Sequence, residues 1–141
     1  MGYTTTSTDL LLGLGSSAIS DSRYAYAQNE KKVEDYYNAL SQRGSAVAKG
    51  HILSTEDVLT RKAILQLACR GELDGNLLHK LATPEITATL KEMEDEGLIY
   101  MHDQGLTILH SGHPFIRNIC SVFDRYYQHQ SQDQVIFSKA I

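Results

Sequence analysis

The sequence predicts a mainly α chain carrying one small β-hairpin. Three observations predict it. Apolar residues recur at helical spacing in successive stretches from Glu30 to Gln130. Each stretch is bounded by a recognisable start or stop signal. One pair of short apolar runs, within LIYMHDQGLTIL, flanks His102-Asp103-Gln104-Gly105, a β-hairpin with glycine at the tight position.

The N-terminal third is the least regular. Residues 3–8, YTTTST, are polar and β-tolerant and lead into LLLGLGSSAIS, Leu10 to Ser20. Its leucine run is of the kind that sits inside a parallel sheet, covered on both faces. It then turns through Gly13 and Gly15, and no second strand of that kind is evident. Residues 21–29 read as a loop ending at Asn29 as helix N-cap, with Tyr26-Ala27-Gln28-Asn29 as local turn and cap chemistry. Glu30–Arg43 reads as a helix, with Val33, Tyr36, Tyr37 and Leu40 on one side and Gly44 as its stop. Residues 44–53, GSAVAKGHIL, read as an extended connector.

From Ser54 the pattern sharpens. Ser54 with Asp57 three residues on forms a capping-box start, with Asp where Glu or Gln is preferred. That helix runs to Cys69 or Arg70, with Val58, Ile64, Leu65, Leu67 and Ala68 inward and Gly71 as terminator. A short helix over Asp74–Leu81 offers Leu77, Leu78 and Leu81. Thr83-Pro84-Glu85 opens a third helix that ends at Gly97, with proline and an acid in the first turn. After the hairpin, Pro114–Gln130 reads as one helix with Phe115, Ile116, Ile119, Cys120, Val122, Phe123, Tyr126 and Tyr127 as its buried stripe. VIFSKAI, Val135 to Ile141, is apolar enough to dock.

Helix, helix, helix, hairpin, helix is the order of a winged-helix-like domain, which raises DNA binding as a class. Charge argues against it. The helix that would enter the groove carries Glu85, Glu92, Glu94, Asp95 and Glu96 against Lys91 alone. Groove reading needs cations facing phosphate and donors for base edges. The whole chain has 141 residues and a net charge of −4, all of it from residues 54–141. Such a module is a poor partner for nucleic acid or anionic lipid, and no apolar run approaches a membrane span of about 20 residues. Cys69 and Cys120 have no neighbours at metal-ligand spacing and nothing resembles a secretory signal, so a reduced, cytoplasmic protein with structural thiols is expected.

The remaining constellations are weak on their own. His110 and His113 lack a carboxylate or cysteine to complete a metal site. Gly13-Leu14-Gly15 lacks the third glycine and the following helix of a dinucleotide fingerprint. Arg117, Asn118 and Asp124 border an apolar stripe, as solvated positions or as a set that docks another segment.

Several phrases, taken together, carry more. Gly2-Tyr3-Thr4-Thr5, Gly13-Leu14-Gly15-Ser16-Ser17-Ala18-Ile19-Ser20, Tyr26-Ala27-Gln28-Asn29, Lys49-Gly50-His51, Arg117-Asn118-Ile119-Cys120 with Phe123-Asp124, and Phe137-Ser138-Lys139 occur in this order. In them the chain resembles the oxygen-independent coproporphyrinogen III oxidases, radical S-adenosylmethionine enzymes of haem synthesis, over essentially its whole length. The YAQN and RNIC-x-x-FD phrases set it apart from the haem-chaperone branch of that superfamily.

The resemblance implies that the chain is the C-terminal third of such an enzyme. Residues 1–53 are then the remnant of a radical-SAM α/β barrel with its connector helix, and residues 54–141 a winged-helix-like domain acting as lid or docking domain. The parent turns two propionates of coproporphyrinogen III into the vinyl groups of protoporphyrinogen IX. It uses S-adenosylmethionine and a 4Fe-4S cluster held by a C-x-x-x-C-x-x-C motif, which is absent from these residues. The resemblance makes Ile19 a contact of S-adenosylmethionine, with Gly13 and Gly15 giving close backbone approach. A glutamine common after the family's GYTT is Thr6 here, and that contact is not carried over. Lys49, Arg61 and Arg117 are candidate partners of substrate propionates. No catalytic residue or metal ligand is expected in these residues, so the chain alone should be inactive, with no cofactor bound. Its partner would be the barrel of a monomeric parent, and its own oligomeric state is open. A stand-alone acidic winged-helix module that binds protein is the competing class. An orphaned Leu10–Leu14 is expected to be poorly ordered or paired with a second copy.

Overall fold

The computed structural model describes residue 8 and residues 10–126. The chain separates into two compact units, one ending at Val58 and the other beginning at Leu59.

The first unit is built on a sheet. Its elements are β1 (Leu10–Leu11), β2 (Ile19–Ser22), β3 (Ala25–Asn29), α1 (Val33–Arg43) and β4 (Val47–Ile52). The strands form one antiparallel sheet in the order β1-β2-β3-β4. The chain here is therefore richer in β structure than a mainly α reading with one hairpin allows. The 21–29 stretch is a hairpin, not a loop. Its turn, Arg23-Tyr24, has none of the Asn-Gly chemistry that marks hairpins in sequence. Ser22 closes it instead: its Oγ accepts from Ala25 N at 3.1 Å.

The leucine run also differs from expectation. Leu10 and Leu11 pair antiparallel with Ser22 and Asp21 of the same chain. They are neither orphaned nor part of a parallel sheet, and strand structure stops at Leu11. The run is open to solvent, with Leu14 89% exposed. Asn29 belongs to β3, and the N-cap position of α1 falls to Lys32. Gly44 ends α1 as expected, its N–H donating to Leu40 O at 2.9 Å. Ala39 and Ala46 are the buried apolar residues among those described in this unit, whereas Ile52 is 83% exposed. Backbone pairing, not a core, holds it.

The second unit has a true core. The boundary falls within α2 (Thr55–Arg70), whose start is capped as the sequence predicts. Ser54 Oγ accepts from Asp57 N at 3.1 Å, and Asp57 Oδ2 accepts from Ser54 N at 2.8 Å. Asp is one methylene shorter than Glu yet completes the reciprocal pair. After α2 come β5 (Glu72–Asp74), α3 (Gly75–Leu81), α4 (Pro84–Asp95), β6 (Ile99–His102) and β7 (Gly105–Ile108). The hairpin β6–β7 forms as predicted, and β5 adds a third strand in the order β5-β7-β6. At three residues, β5 is too short for alternation to show in the sequence. It matters because Asp74 ends it and caps α3, accepting from Asn76 N and Leu77 N. Gly105 is required where β5 meets β7: its φ is +141°, and a Cβ there would overlap the Leu73 carbonyl oxygen.

Leu67, Leu73, Leu90, Ile99, Leu106, Ile119 and Phe123 are each almost wholly buried in one cluster. Each such side chain contributes roughly 1.5–3 kcal/mol through burial. The last predicted helix divides. A 3-10 helix over His110–Phe115 precedes α5 (Ile116–Ser121). Ile119, Val122 and Phe123 are buried as the stripe implies, while Phe115 and Tyr126 are exposed. Asp124 interrupts the helix, its Oδ1 accepting from Tyr126 N at 3.0 Å as an N-cap would. Tyr127 and the VIFSKAI segment lie outside the described residues.

One carboxylate ties α4 to the hairpin. Glu94 Oε1 accepts from Met101 N at 2.8 Å. That bond, then the bond from Lys91, holds the Glu94 carboxyl below the usual range. A depressed folded-state value means a contribution present above the unfolded pKa and lost as pH falls through the folded one. Acid titration of unfolding should therefore show a limb at and below the ordinary glutamate range that Glu94→Gln flattens. An unchanged limb would separate Glu94 from it.

Candidate functional site

The glycine-rich stretch closes into a loop stitched by Asn29. Its Nδ2 donates to Gly13 O at 3.2 Å and to Gly15 O at 2.9 Å. Asn29 N donates to Ala18 O at 2.9 Å, and Ser17 N to Glu30 O at 2.8 Å. Gly13 N donates to Ser20 Oγ at 3.1 Å. The GLGSSAIS and YAQN phrases thus form one local structure. The turn at its tip uses φ of +97° at Gly15 and +62° at Ser17. Gly13 is explained by the chain itself: a Cβ there would lie 2.6 Å from Ile19 O. Gly15 has open space where a Cβ would be.

The loop delivers Ile19 to the start of β2 with 43% of its surface exposed. Register then decides its neighbours. Ile19 pairs with Gln28, and Gln28 with Lys49. Directly paired residues share a face, with Cβ atoms about 5 Å apart. Two candidates from the sequence, Ile19 and Lys49, therefore lie in one row with Gln28 between them. The next row on this face is Asp21, Tyr26 and His51. His51 Nε2 lies 3.4 Å from Asp57 Oδ2.

Arg61 and Arg117 belong to the other unit, Arg61 half-buried on α2 and Arg117 exposed on α5. His110 and His113 sit in the 3-10 helix with ring centroids 6.1 Å apart. Among the described residues, no group of three or more His, Cys, Asp or Glu side chains is placed to hold a metal ion. Cys69 is exposed; the Cys120 thiol sits 3.9 Å from Ile64 O, and burial, then the nearby Cys69, pushes its pKa up. An open polar hollow of about 360 Å³ is lined by Gln66, Arg70, Asp74, His102 and Thr107. Several of its polar groups are engaged internally: Gln66 Oε1 accepts from Asp74 N, and His102 Nε2 meets Thr107 Oγ1 at 3.2 Å. No helix among the described residues is long and apolar enough to cross a membrane.

Comparison with known proteins gives one consistent answer. The chain is 36% identical over 152 residues to the oxygen-independent coproporphyrinogen III oxidase of Synechocystis, covering 99% of this chain and 32% of that protein. The enzyme of the same name from Escherichia coli is 33% identical over 147 residues, covering 99% and 32%. A solved structure of coproporphyrinogen III oxidase from Escherichia coli, described as a radical SAM enzyme, superposes with a TM-score of 0.79 at 33% identity, over 89% of this chain and 30% of that one. By sequence and by fold, the chain belongs with the C-terminal part of the oxygen-independent coproporphyrinogen III oxidases. It spans about a third of the length of these relatives. No family model matches it.

Within this segment the sequence points to Ile19 and Lys49 but not to Gln28, and it places Asn29 as a helix cap. The available signal is Tyr26, a strand-favouring residue in the short Ala-Tyr-Ala-Gln-Asn run. Its brevity and the unmarked turn before it hid the strand.

Removing the Asn29 amide strands the carbonyls of Gly13 and Gly15. Asn29→Ala should destabilise the first unit by roughly 1–3 kcal/mol. Urea unfolding followed on the β3 amide signals checks this, with the Leu67 and Phe123 region as internal control. An unchanged β3 midpoint would remove Asn29 from its role.

Proposed function

We propose that the chain serves as the C-terminal part of an enzyme that oxidatively decarboxylates two propionates of coproporphyrinogen III to give protoporphyrinogen IX in haem synthesis. What supports this most is the agreement of sequence and fold with proteins of that name along nearly the whole chain. When bound, S-adenosylmethionine and a 4Fe-4S cluster supply the radical chemistry, and the protein orients the reactants and excludes water. Cys69 and Cys120 do not fit a cluster, because three closely spaced thiolates are needed. The cluster belongs to the proposed upstream barrel, and this chain alone turns over nothing.

Toward S-adenosylmethionine, the proposed contact is Ile19, exposed at the end of the stitched loop. Gly15, with open space beside it, is a weaker contact, and Gly13 shapes the turn from within. Lys49, Arg61 and Arg117 are proposed to pair with propionates. The exposed leucines at positions 10, 11, 12 and 14 support docking of the first unit against that barrel. The helix, strand, helix, helix, hairpin order from α2 to β7 supports a winged-helix-like lid. The acidic α4 argues for a protein-facing rather than a nucleic-acid-facing role, in a cytoplasmic, monomeric parent.

The test joins this chain to the upstream part of the Synechocystis enzyme. With coproporphyrinogen III, S-adenosylmethionine, reductant and a final electron acceptor, the chimera should yield 5′-deoxyadenosine and protoporphyrinogen IX, and the chain alone neither. Turnover by the chain alone would overturn the reading. So would a folded, cluster-loaded chimera that stays inactive.

A further inference from the structure

The face carrying Ile19 is unusual for an edge of a small sheet. β4 is an outer strand, so one of its edges is unpaired in this sheet. Lys49 stands exposed in the middle of that strand. Among the described residues, no carboxylate forms an ion pair with it, unlike Lys91 with Glu94 and Asp95. Its cross-strand neighbour is the Gln28 amide, and beyond Gln28 is Ile19. Gln28 Nε2 reaches Ser17 O at 3.5 Å, the outer limit of a hydrogen bond, so its amide is barely committed.

The row thus offers one cation, one amide and one apolar group, each about 5 Å from the next. An aliphatic carboxylate matches it: the ammonium and amide N–H donate to the two oxygens, and the attached methylenes rest on isoleucine. The neighbouring row is not equivalent. It brings Asp21, and its Tyr26 and His51 already have partners of their own. A carboxylate is therefore directed to the Lys49 end of the face.

We infer that Gln28 and Lys49, with Ile19 at the end of the row, form a carboxylate-binding row. This rests on the function proposed above, and it adds Gln28 as a binding residue and a chemical class for the site. Two carboxylates share this chemistry: a propionate of the tetrapyrrole and the amino-acid end of S-adenosylmethionine.

The test uses the 141-residue chain, labelled for amide NMR. Two probe pairs separate the sources: coproporphyrin III against etioporphyrin III, which has no carboxylate, and S-adenosylmethionine against 5′-methylthioadenosine. Shifts should centre on Ile19, Gln28 and Lys49 for the carboxylate member of one pair, and that pair names the source. Its carboxylate-free analogue should bind at least tenfold more weakly. Lys49→Gln and Gln28→Leu should each remove most of that difference, and Lys49→Arg should retain it. Both positions sit on an open face, so the variants' folding is checked from the dispersion of the same spectra.

Equal binding of both members of each pair overturns the inference, as does an unaltered affinity in folded Lys49→Gln. A lysine that merely guards the sheet edge would raise aggregation on removal without changing carboxylate affinity, and that outcome also overturns it. An active chimera with these negative results defeats the row alone. Positive row results beside a dead chimera defeat the proposed function alone.

Discussion

One side-chain amide governs the first unit. Asn29 bonds the carbonyls of Gly13 and Gly15, folding an otherwise featureless glycine loop onto the end of β3. Everything on the face carrying Ile19 follows from that closure. The loop fixes where β2 begins, β2 fixes Ile19, and the ladder then sets Gln28 and Lys49 beside it. A unit with two small buried alanines has little hydrophobic burial to spare. Directional hydrogen bonds must define its geometry, and losing one carries a larger share of the total than it would in a well-packed domain.

The second unit works by the opposite means. Its helices and three short strands converge on one apolar cluster, and polar side chains act at the ends of elements: Asp74, Thr83 and Glu94. These are cheap, local devices. They leave the surfaces of the unit free to vary, which suits a domain whose proposed task is to cover another.

That contrast explains what was legible in the residues. Helical periodicity with caps located α2, α3 and α4 closely, because those elements bury a stripe and carry their own start and stop chemistry. The sheet of the first unit was not legible. Its strands are short, its hairpin turn is closed by a serine rather than by glycine, and its apolar residues face outward without alternation. β5 was hidden by its length, and the break after α5 by a single aspartate placed among apolar neighbours. At the site, Ile19 and Lys49 came from resemblance and from charge; that they share a row with Gln28 is a matter of register, which a sequence without turn signals does not reveal.

The Gly13–Ser20 loop is shaped by the chain's own bonds. Amide hydrogen exchange on the unliganded chain tests it most directly. The Ser17, Asn29 and Glu30 amides donate to Glu30, Ala18 and Ala46 carbonyls, and they should exchange markedly more slowly than the exposed amide of Leu14. Exchange of all three at the rate of an unstructured peptide, in a chain whose Leu67 region stays protected, would contradict it.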